Sequence, residues 1–226
     1  MKNKNVNILL GFLVGLLIIF LVFAYGGDFS VNKDKGELFD VGDGTYCENV
    51  VIKDNFRFCN VTMSDTLNIY RLEFYVGDQR ILHTFRSLPE DLEDIKLEKG
   101  LGVPLLIPGT NVVKEKIYLS VDPNFSGDEV LASLWLPSQI FGRNSASVFK
   151  MDVNNAFSGD YEGNDHPIKN CNDVTNSTAV VEFREGESKI QVEDNCIVVY
   201  GQNETDLTRL SEKLVYNLLE IVKSDY

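Results

Sequence analysis

The sequence predicts an α+β protein in which one N-terminal transmembrane helix precedes an exported globular domain. Three observations support this prediction: an uninterrupted apolar segment near the N-terminus, pairs of strand-like runs separated by short turns, and two stretches with apolar residues at helical spacing. Antiparallel hairpins with about two helices packed against them would form the domain, and one strand–helix–strand segment predicts a βαβ-like crossover.

The apolar segment comprises residues 8–25, ILLGFLVGLLIIFLVFAY, and contains no charged side chain. A helix of this length covers roughly 27 Å, close to the hydrocarbon thickness of a bilayer. Lys2 and Lys4 precede the segment, and Asp28 is the first charged residue after it. Because positive residues stay on the cytoplasmic side, we expect a single-pass protein of the cell membrane with a cytoplasmic N-terminus and an extracellular C-terminal domain.

A signal peptide cleaved after Ala24 is the alternative interpretation, and it exports the same domain. The apolar run is longer than the usual core of a signal peptide, which favours a retained anchor. Gly11 and Gly15 form a GxxxG pattern that can bring two membrane helices together. Glycine is common in membrane helices, so this pattern gives only weak support for self-association.

Composition restricts the class of partner. The chain has 34 acidic and 21 basic residues and a formal net charge of −13. Such a charge repels phosphate backbones and anionic lipid head groups, so we expect no nucleic-acid partner. Residues 26–44 are polar and rich in Gly and Asp, which predicts a tether between the membrane and an exported domain at 45–226.

Three strand pairs with short turns predict hairpins. The first joins TYCENVVI to FRFCNVTM through Lys53-Asp54-Asn55, and the second joins NIYRLEFYV to QRILHTFR through Gly77-Asp78. The third joins STAVVEFR to SKIQVEDN around Gly186-Glu187, and NCIVVYG then adds a further strand.

The middle of the exported domain predicts a strand, a helix and a returning strand. The strands are 115–121 and 147–153, and Ser126 with Glu129 has the capping-box spacing before the helix. The apolar residues at helical spacing are Val130, Leu131, Leu134 and Trp135. We expect Trp135 in the core, and we expect Pro137 to end or kink the helix.

A second helix is predicted near the C-terminus, capped by Asn203 or Thr205. Its apolar face comprises Leu207, Leu210, Leu214, Leu218 and Ile221. Residues at spacings of three and four lie on one side of a helix, so this face would pack on the sheet.

The four cysteines are Cys47, Cys59, Cys171 and Cys196. An even number in an exported domain predicts disulfides, and no CxxC motif indicates a redox or zinc site. Pairing neighbours along the chain would bracket the first hairpin and a C-terminal hairpin–helix unit at 171–223. Four cysteines allow three connectivities, and spacing does not choose among them.

The remaining candidate sites are few. Four Asn-x-Ser/Thr triplets mark candidate glycan acceptors at Asn60, Asn124, Asn176 and Asn203, with Asn203 equally interpretable as the helix cap. His83 alternates with Ile81 and Phe85, which indicates a buried, hydrogen-bonded histidine. No nucleophile, phosphate-binding or metalloprotease motif occurs, so we predict no catalytic residue, cofactor or metal site.

Several segments of the chain resemble an uncharacterised family of single-pass, membrane-anchored surface proteins of small-genome (DPANN) archaea. The likeness comprises the N-terminal helix, the loop Pro89–Ile95, Asp122-Pro123 after a strand, and a cysteine-bracketed hairpin followed by a helix. The resemblance implies a surface location and pairing of Cys171 with Cys196. It implies no active site.

The leading functional hypothesis is a membrane-anchored cell-surface protein that serves as a structural or protein-interaction module of an envelope or surface complex. The anchor, the acidic exported domain, the cysteines and the lack of a catalytic motif support it. The alternatives are an exported carboxylate-dependent hydrolase and a cleaved, soluble secreted factor.

Overall fold

The structure, a computed structural model, describes residues 47–220 except 48, 54–55, 65–66, 77 and 161–165. The predicted anchor and tether therefore lie outside the described residues. Within the described part of the chain, no helix has the length and apolar character needed to cross a bilayer.

A four-stranded antiparallel sheet comes first along the chain, in the order β1-β2-β3-β4. Its strands are β1 Val50–Lys53, β2 Phe56–Ser64, β3 Leu67–Val76 and β4 Gln79–Phe85. Lys53 pairs with Phe56, and Val76 pairs with Gln79. These registers confirm the first two predicted hairpins. The polar segment after β4 contains a short 3-10 helix, Pro89–Leu92.

A six-stranded mixed sheet follows, in the order β5-β9-β10-β8-β6-β7. Its strands are β5 Lys96–Leu97, β6 Lys116–Val121, β7 Asp152–Phe157, β8 Thr178–Glu185, β9 Lys189–Glu193 and β10 Cys196–Gly201. Two α-helices accompany it: α1 Gly127–Phe141 and α2 Glu204–Leu218. The α+β class predicted from the sequence is confirmed.

The β6–α1–β7 segment confirms the predicted crossover, since β6 and β7 are neighbouring parallel strands. The prediction that the returning strand covers 147–153 is wrong, because β7 begins at Asp152. The N–H groups of Val148 and Phe149 donate to the Ile140 carbonyl, which folds this stretch back onto the end of α1. Lys150 then adopts a left-handed φ of 55°, which interrupts extended backbone.

The third predicted hairpin is also wrong, because β8 and β9 do not pair. β10 lies between them, parallel to β8 and antiparallel to β9. The hairpin is instead β9–β10, and it turns at Asp194 and Asn195, whose φ values of 47° and 63° suit a turn with two left-handed residues. Residues Cys196–Val199 of β10 are buried on both faces, which requires a central place in the sheet.

One continuous apolar core connects the large sheet, the two helices and the small sheet. Leu207, Leu210 and Leu214 of α2 are fully buried, which confirms the predicted apolar face for these three positions. Tyr216 of the same helix stacks on Phe85 of β4, with ring centroids 4.3 Å apart. The helices thus hold the small sheet to the large one.

The opposite face of the large sheet is covered by the segment that precedes β8. Disulfides join Cys47 to Cys59 and Cys171 to Cys196, the latter pair as the archaeal resemblance implied. Cys171, Val174 and Tyr118 pack there over Val180 and Val198. Each cross-link of such loop length contributes roughly 3 kcal/mol in the chain-entropy model.

Candidate functional site

A groove of about 330 Å³ lies between the two helices and the end of the small sheet. The groove has three sides. Leu131 and Trp135 of α1 form the first side, and Glu204 and Glu212 of α2 form the second. Phe85 and Arg86, at the end of β4, form the third. This volume is at the lower end of the range for small-molecule binding pockets, so the groove has room for one or two side chains of a partner.

The mouth of the groove carries two large exposed apolar side chains. Trp135 is 53% exposed and Leu131 is 65% exposed. The prediction that Trp135 belongs to the core is wrong, because α1 turns Leu134, Leu136 and Ile140 inward instead. Residues 131 and 135 are one helical turn apart, so they form a single apolar surface. Aromatic and aliphatic residues exposed beside a concavity are typical of protein contact sites.

Pro137 lies within α1, which continues to Phe141, so it does not end the helix, and the alternative that it kinks the helix stays a prediction. Proline has no N–H and leaves the carbonyl of Ser133 without its helical donor. The Ser211 hydroxyl, from α2, shares its single proton between this carbonyl, at 3.4 Å, and the nearer Ala132 carbonyl, at 3.1 Å. The neighbouring helix therefore compensates in part for the missing bond.

Glu212 lines the groove yet is only 3% exposed. The backbone N–H of Arg86 donates to its Oε1 atom. Its Oε2 atom is buried and has no hydrogen-bond partner among the residues that the structure describes. Burial raises the pKa of Glu212 to about 7, against smaller opposing effects of Arg86 and Ser87. An ionised carboxylate in this position lacks the solvation that water would supply.

The residues that follow β4 pack against α2 and fix the position of the Glu212 carboxylate. Tyr216, one turn after Glu212, donates its hydroxyl to the Ser87 carbonyl at 2.8 Å. Together Glu212 and Tyr216 hold Arg86 and Ser87, the residues that leave β4 and close the groove. Sequence reasoning missed Glu212 because it lies on the side of the helix opposite the leucine face, where a polar residue is expected to face water. Its burial results from the small sheet.

The charge of the groove is predominantly negative. Asp128, Glu204 and Glu212 line it together with a single basic residue, Arg86. Asp128 and Glu204 belong to the first turns of α1 and α2, where an acidic side chain is favoured by the helix dipole. Glu212 has no such compensation, since it lies in the interior of α2.

The cysteine-bearing face of the large sheet presents a second polar cluster. Cys171, Glu182 and Cys196 bring their sulfur and carboxylate atoms within 4.8 Å of one another. Both sulfurs belong to a disulfide, so neither is available as a thiolate ligand. Arg184 donates to Glu182 at 2.8 Å and to Glu193 at 2.9 Å, and the Glu182 bond raises the Arg184 pKa. This cluster is a satisfied structural network.

His83 and Asn203 are not among the residues that line the groove. His83 is 1% exposed and its Nε2 lies 2.8 Å from the Ala146 carbonyl oxygen, which confirms a buried, hydrogen-bonded histidine. Burial lowers its pKa. Asn203 accepts from the N–H of Asp206 at 3.1 Å, which confirms it as the cap of α2.

The candidate glycan acceptors differ in exposure. Asn124, Asn176 and Asn203 are exposed, whereas Asn60 is half-buried with its Oδ1 enclosed. Their use as acceptors stays a prediction.

No protein-family model, no curated protein and no solved structure matches this chain. The resemblance to archaeal surface proteins stays a prediction.

Proposed function

We propose that this protein is a single-pass membrane protein whose extracellular domain docks a partner protein of the cell surface in the groove between α1 and α2. The observation that carries the proposal is the exposure of Trp135 and Leu131 at the mouth of that groove. Burying two such side chains against a partner removes apolar surface from water, and tryptophan is prominent among residues that dominate binding energies.

The location outside the cell rests on two features. The apolar segment 8–25 with its two preceding lysines supports an anchor with the domain outside. The two disulfides support an oxidising compartment. An anchored domain that meets its partner in the plane of a membrane needs only a modest contact area, because the local concentration of both proteins is high.

An exported hydrolase is the second candidate, and the raised pKa of Glu212 is the observation that favours it. A general acid must reach the bond that it protonates, however, and this carboxyl is 3% exposed. The small exposure and the two apolar residues at the mouth favour docking.

Photo-cross-linking on intact cells tests the docking proposal. A photoreactive phenylalanine derivative replaces Leu131 in one variant and Val112 in a matched control. Val112 is 58% exposed and does not line the groove. We expect the variant at 131 to cross-link to one specific surface protein, and the yield to fall several-fold when Trp135→Ala is added. Products that are the same from both positions, or that ignore Trp135→Ala, would contradict docking at the groove.

A further inference from the structure

We propose that the acidic segment 37–43, ELFDVGD, packs against the outer face of the small sheet and is held there by arginine side chains. This segment belongs to the stretch that composition predicts as a tether, so the spacer between the predicted anchor and the domain is shortened to residues 26–36. The proposal goes beyond the docking function and does not depend on what occupies the groove.

The small sheet has one face on the core and one face directed away from it. Arg57 pairs with Glu73 across β2 and β3, and the next pair along these strands, Phe58 and Leu72, is fully buried in the core. Because side chains alternate along a strand, Arg57 and Glu73 lie on the other side. We call that side the arginine face, and its residues are Val50, Ile52, Arg57, Cys59, Val61, Ile69, Arg71, Glu73, Tyr75, Arg80, Leu82 and Thr84.

The arginine face is positive in a chain that is acidic as a whole. It carries three arginines, at 57, 71 and 80, and one acidic residue, Glu73, which gives these residues a net charge of +2. The whole chain has a net charge of −13. Glu73 accepts hydrogen bonds from Arg80 and from the Tyr75 hydroxyl, so it matches one of the three positive charges. The field of this face favours an anionic segment.

The same face has exposed apolar surface at its β1 side. Ile52 is 68% exposed and Val50 is 38% exposed. They pair with Arg57 and Cys59, which places them on the arginine face. Covering them removes apolar surface from water, so the complementary segment combines carboxylates with apolar side chains.

The first disulfide determines where the N-terminal part of the chain meets this face. Cys59 is a residue of the arginine face, so its bond to Cys47 places Cys47 over that face. Cys47 is buried and packs with Val61 and Leu82 of the same face. The stretch that precedes residue 47 therefore joins the domain at the arginine face.

Segment 37–43 is within reach of the arginines. Its last residue, Asp43, is four residues before Cys47, a stretch of up to about 14 Å. Arg71 pairs with Cys59, and Arg57 is two residues from Cys59 along β2, or about 7 Å. A segment attached so closely has an effective concentration of roughly millimolar, which favours it over a separate acidic protein.

The composition of segment 37–43 suits the arginine face. Its carboxylates are Glu37, Asp40 and Asp43, it has no basic residue, and its other large side chains are apolar. Hydrogen bonds between carboxylate and guanidinium groups are among the stronger ones in proteins. Residues 26–36 contain two acidic and two basic side chains and have no net charge, so they are less suited to this face. The groove does not compete for the segment, because its own carboxylates repel it.

Docking of this segment changes the geometry of the anchored protein. A spacer of residues 26–36 spans at most about 40 Å when extended, whereas residues 26–46 would span about 75 Å. Because the spacer leaves the domain at the arginine face, this face is on the membrane side of the domain.

Amide hydrogen exchange, read by mass spectrometry on the full chain in micelles of an uncharged detergent, tests the proposal. Such micelles contain no anionic lipid that could bind the arginines. We expect the amides of 37–43 to exchange at least about 10-fold more slowly than their intrinsic rates at low salt. Arg57→Gln with Arg71→Gln should return exchange to near the intrinsic rates. Lys99→Gln with Arg143→Gln removes two exposed positive charges outside the arginine face and should leave exchange unchanged.

A second variant keeps the test decisive where the arginine variant fails to fold. Glu37→Gln, Asp40→Asn and Asp43→Asn together change no residue of the part of the chain that the structure describes, and they should also abolish the protection.

Three outcomes would overturn the proposal. The first is exchange of 37–43 at intrinsic rates in the unaltered protein, and the second is protection that survives removal of the three carboxylates. The third is protection that is lost on tenfold dilution of the protein, which would assign the contact to a second copy of the chain. None of these outcomes affects cross-linking from position 131, so failure of this proposal is distinguishable from failure of the docking function.

Discussion

At the scale of single residues, Glu212 shows how position overrides residue type. Glutamate in a surface helix is ordinarily solvated, and here both oxygens are enclosed by the strand end that α2 packs against. Trp135 shows the converse, since a large apolar side chain that the helical pattern assigned to the core is 53% exposed. His83 agrees with its pattern, because the alternation in a strand decides directly which face a side chain occupies.

The pH dependence of stability follows from Glu212. Its pKa rises from an ordinary 4.5 to about 7 on folding, so between these values the folded state binds more protons than the unfolded state. The contribution of this residue to the free energy of unfolding therefore falls as pH rises through that window, by up to about 3 kcal/mol. Glu212→Gln should remove this part of the pH dependence.

Urea unfolding of both forms at pH 5 and pH 8 measures the effect. We expect the variant to gain relative to the unaltered protein at pH 8 and to show no such gain at pH 5. Glu115→Gln serves as the control, because it removes a carboxylate from an exposed site. A difference between the two forms that does not change with pH would show that Glu212 titrates normally in the folded state.

At the scale of secondary-structure elements, local signals determined where elements begin and neighbouring elements determined how they end. The capping box at Ser126 and the cap at Asn203 start both helices where the sequence predicted. Pro137 did not end α1, and Ser211 of the other helix donates toward the Ser133 carbonyl, the one that proline leaves without its helical donor.

The compensation at Pro137 predicts an energetic coupling between the two helices. Ser211→Ala should destabilise the protein by about 1–2 kcal/mol, since it leaves the Ser133 carbonyl without a donor. In a Pro137→Ala background the cost should be smaller, because residue 137 then supplies the N–H for the Ser133 carbonyl.

A double-mutant cycle of urea unfolding free energies measures this coupling. Strictly additive effects of the two substitutions would show that Ser211 does not act through the proline.

At the scale of the whole molecule, the prediction of a membrane anchor concerns the location of the domain that carries the groove. The hydrophobicity of residues 8–25 predicts that the chain remains in the membrane fraction after extraction at high pH, and that deletion of residues 1–25 releases it. N-terminal sequencing of the protein purified from cells supplies the second measurement. A mature N-terminus at Tyr25 would rule out the anchor and support a secreted factor.

The order of strands in the large sheet could not be predicted from local turn signals. A short connection at Gly186-Glu187 predicted that β8 and β9 pair, whereas β10 lies between them. The choice depends on which strand buries more apolar surface in the centre, and β10 is buried on both faces. That comparison involves three strands at once, and no local turn signal contains it.

The sequence by itself determined the α+β class, the first two hairpins, the crossover around α1 and the start of both helices. These features follow from interactions between residues close along the chain: alternation, helical spacing, capping and turn chemistry. Only the tertiary structure decided the central position of β10, the exposure of Trp135, and the groove with Glu212 inside it. These depend on which elements meet, because the burial of a side chain is a property of its neighbours in space and is not encoded in the spacing around it.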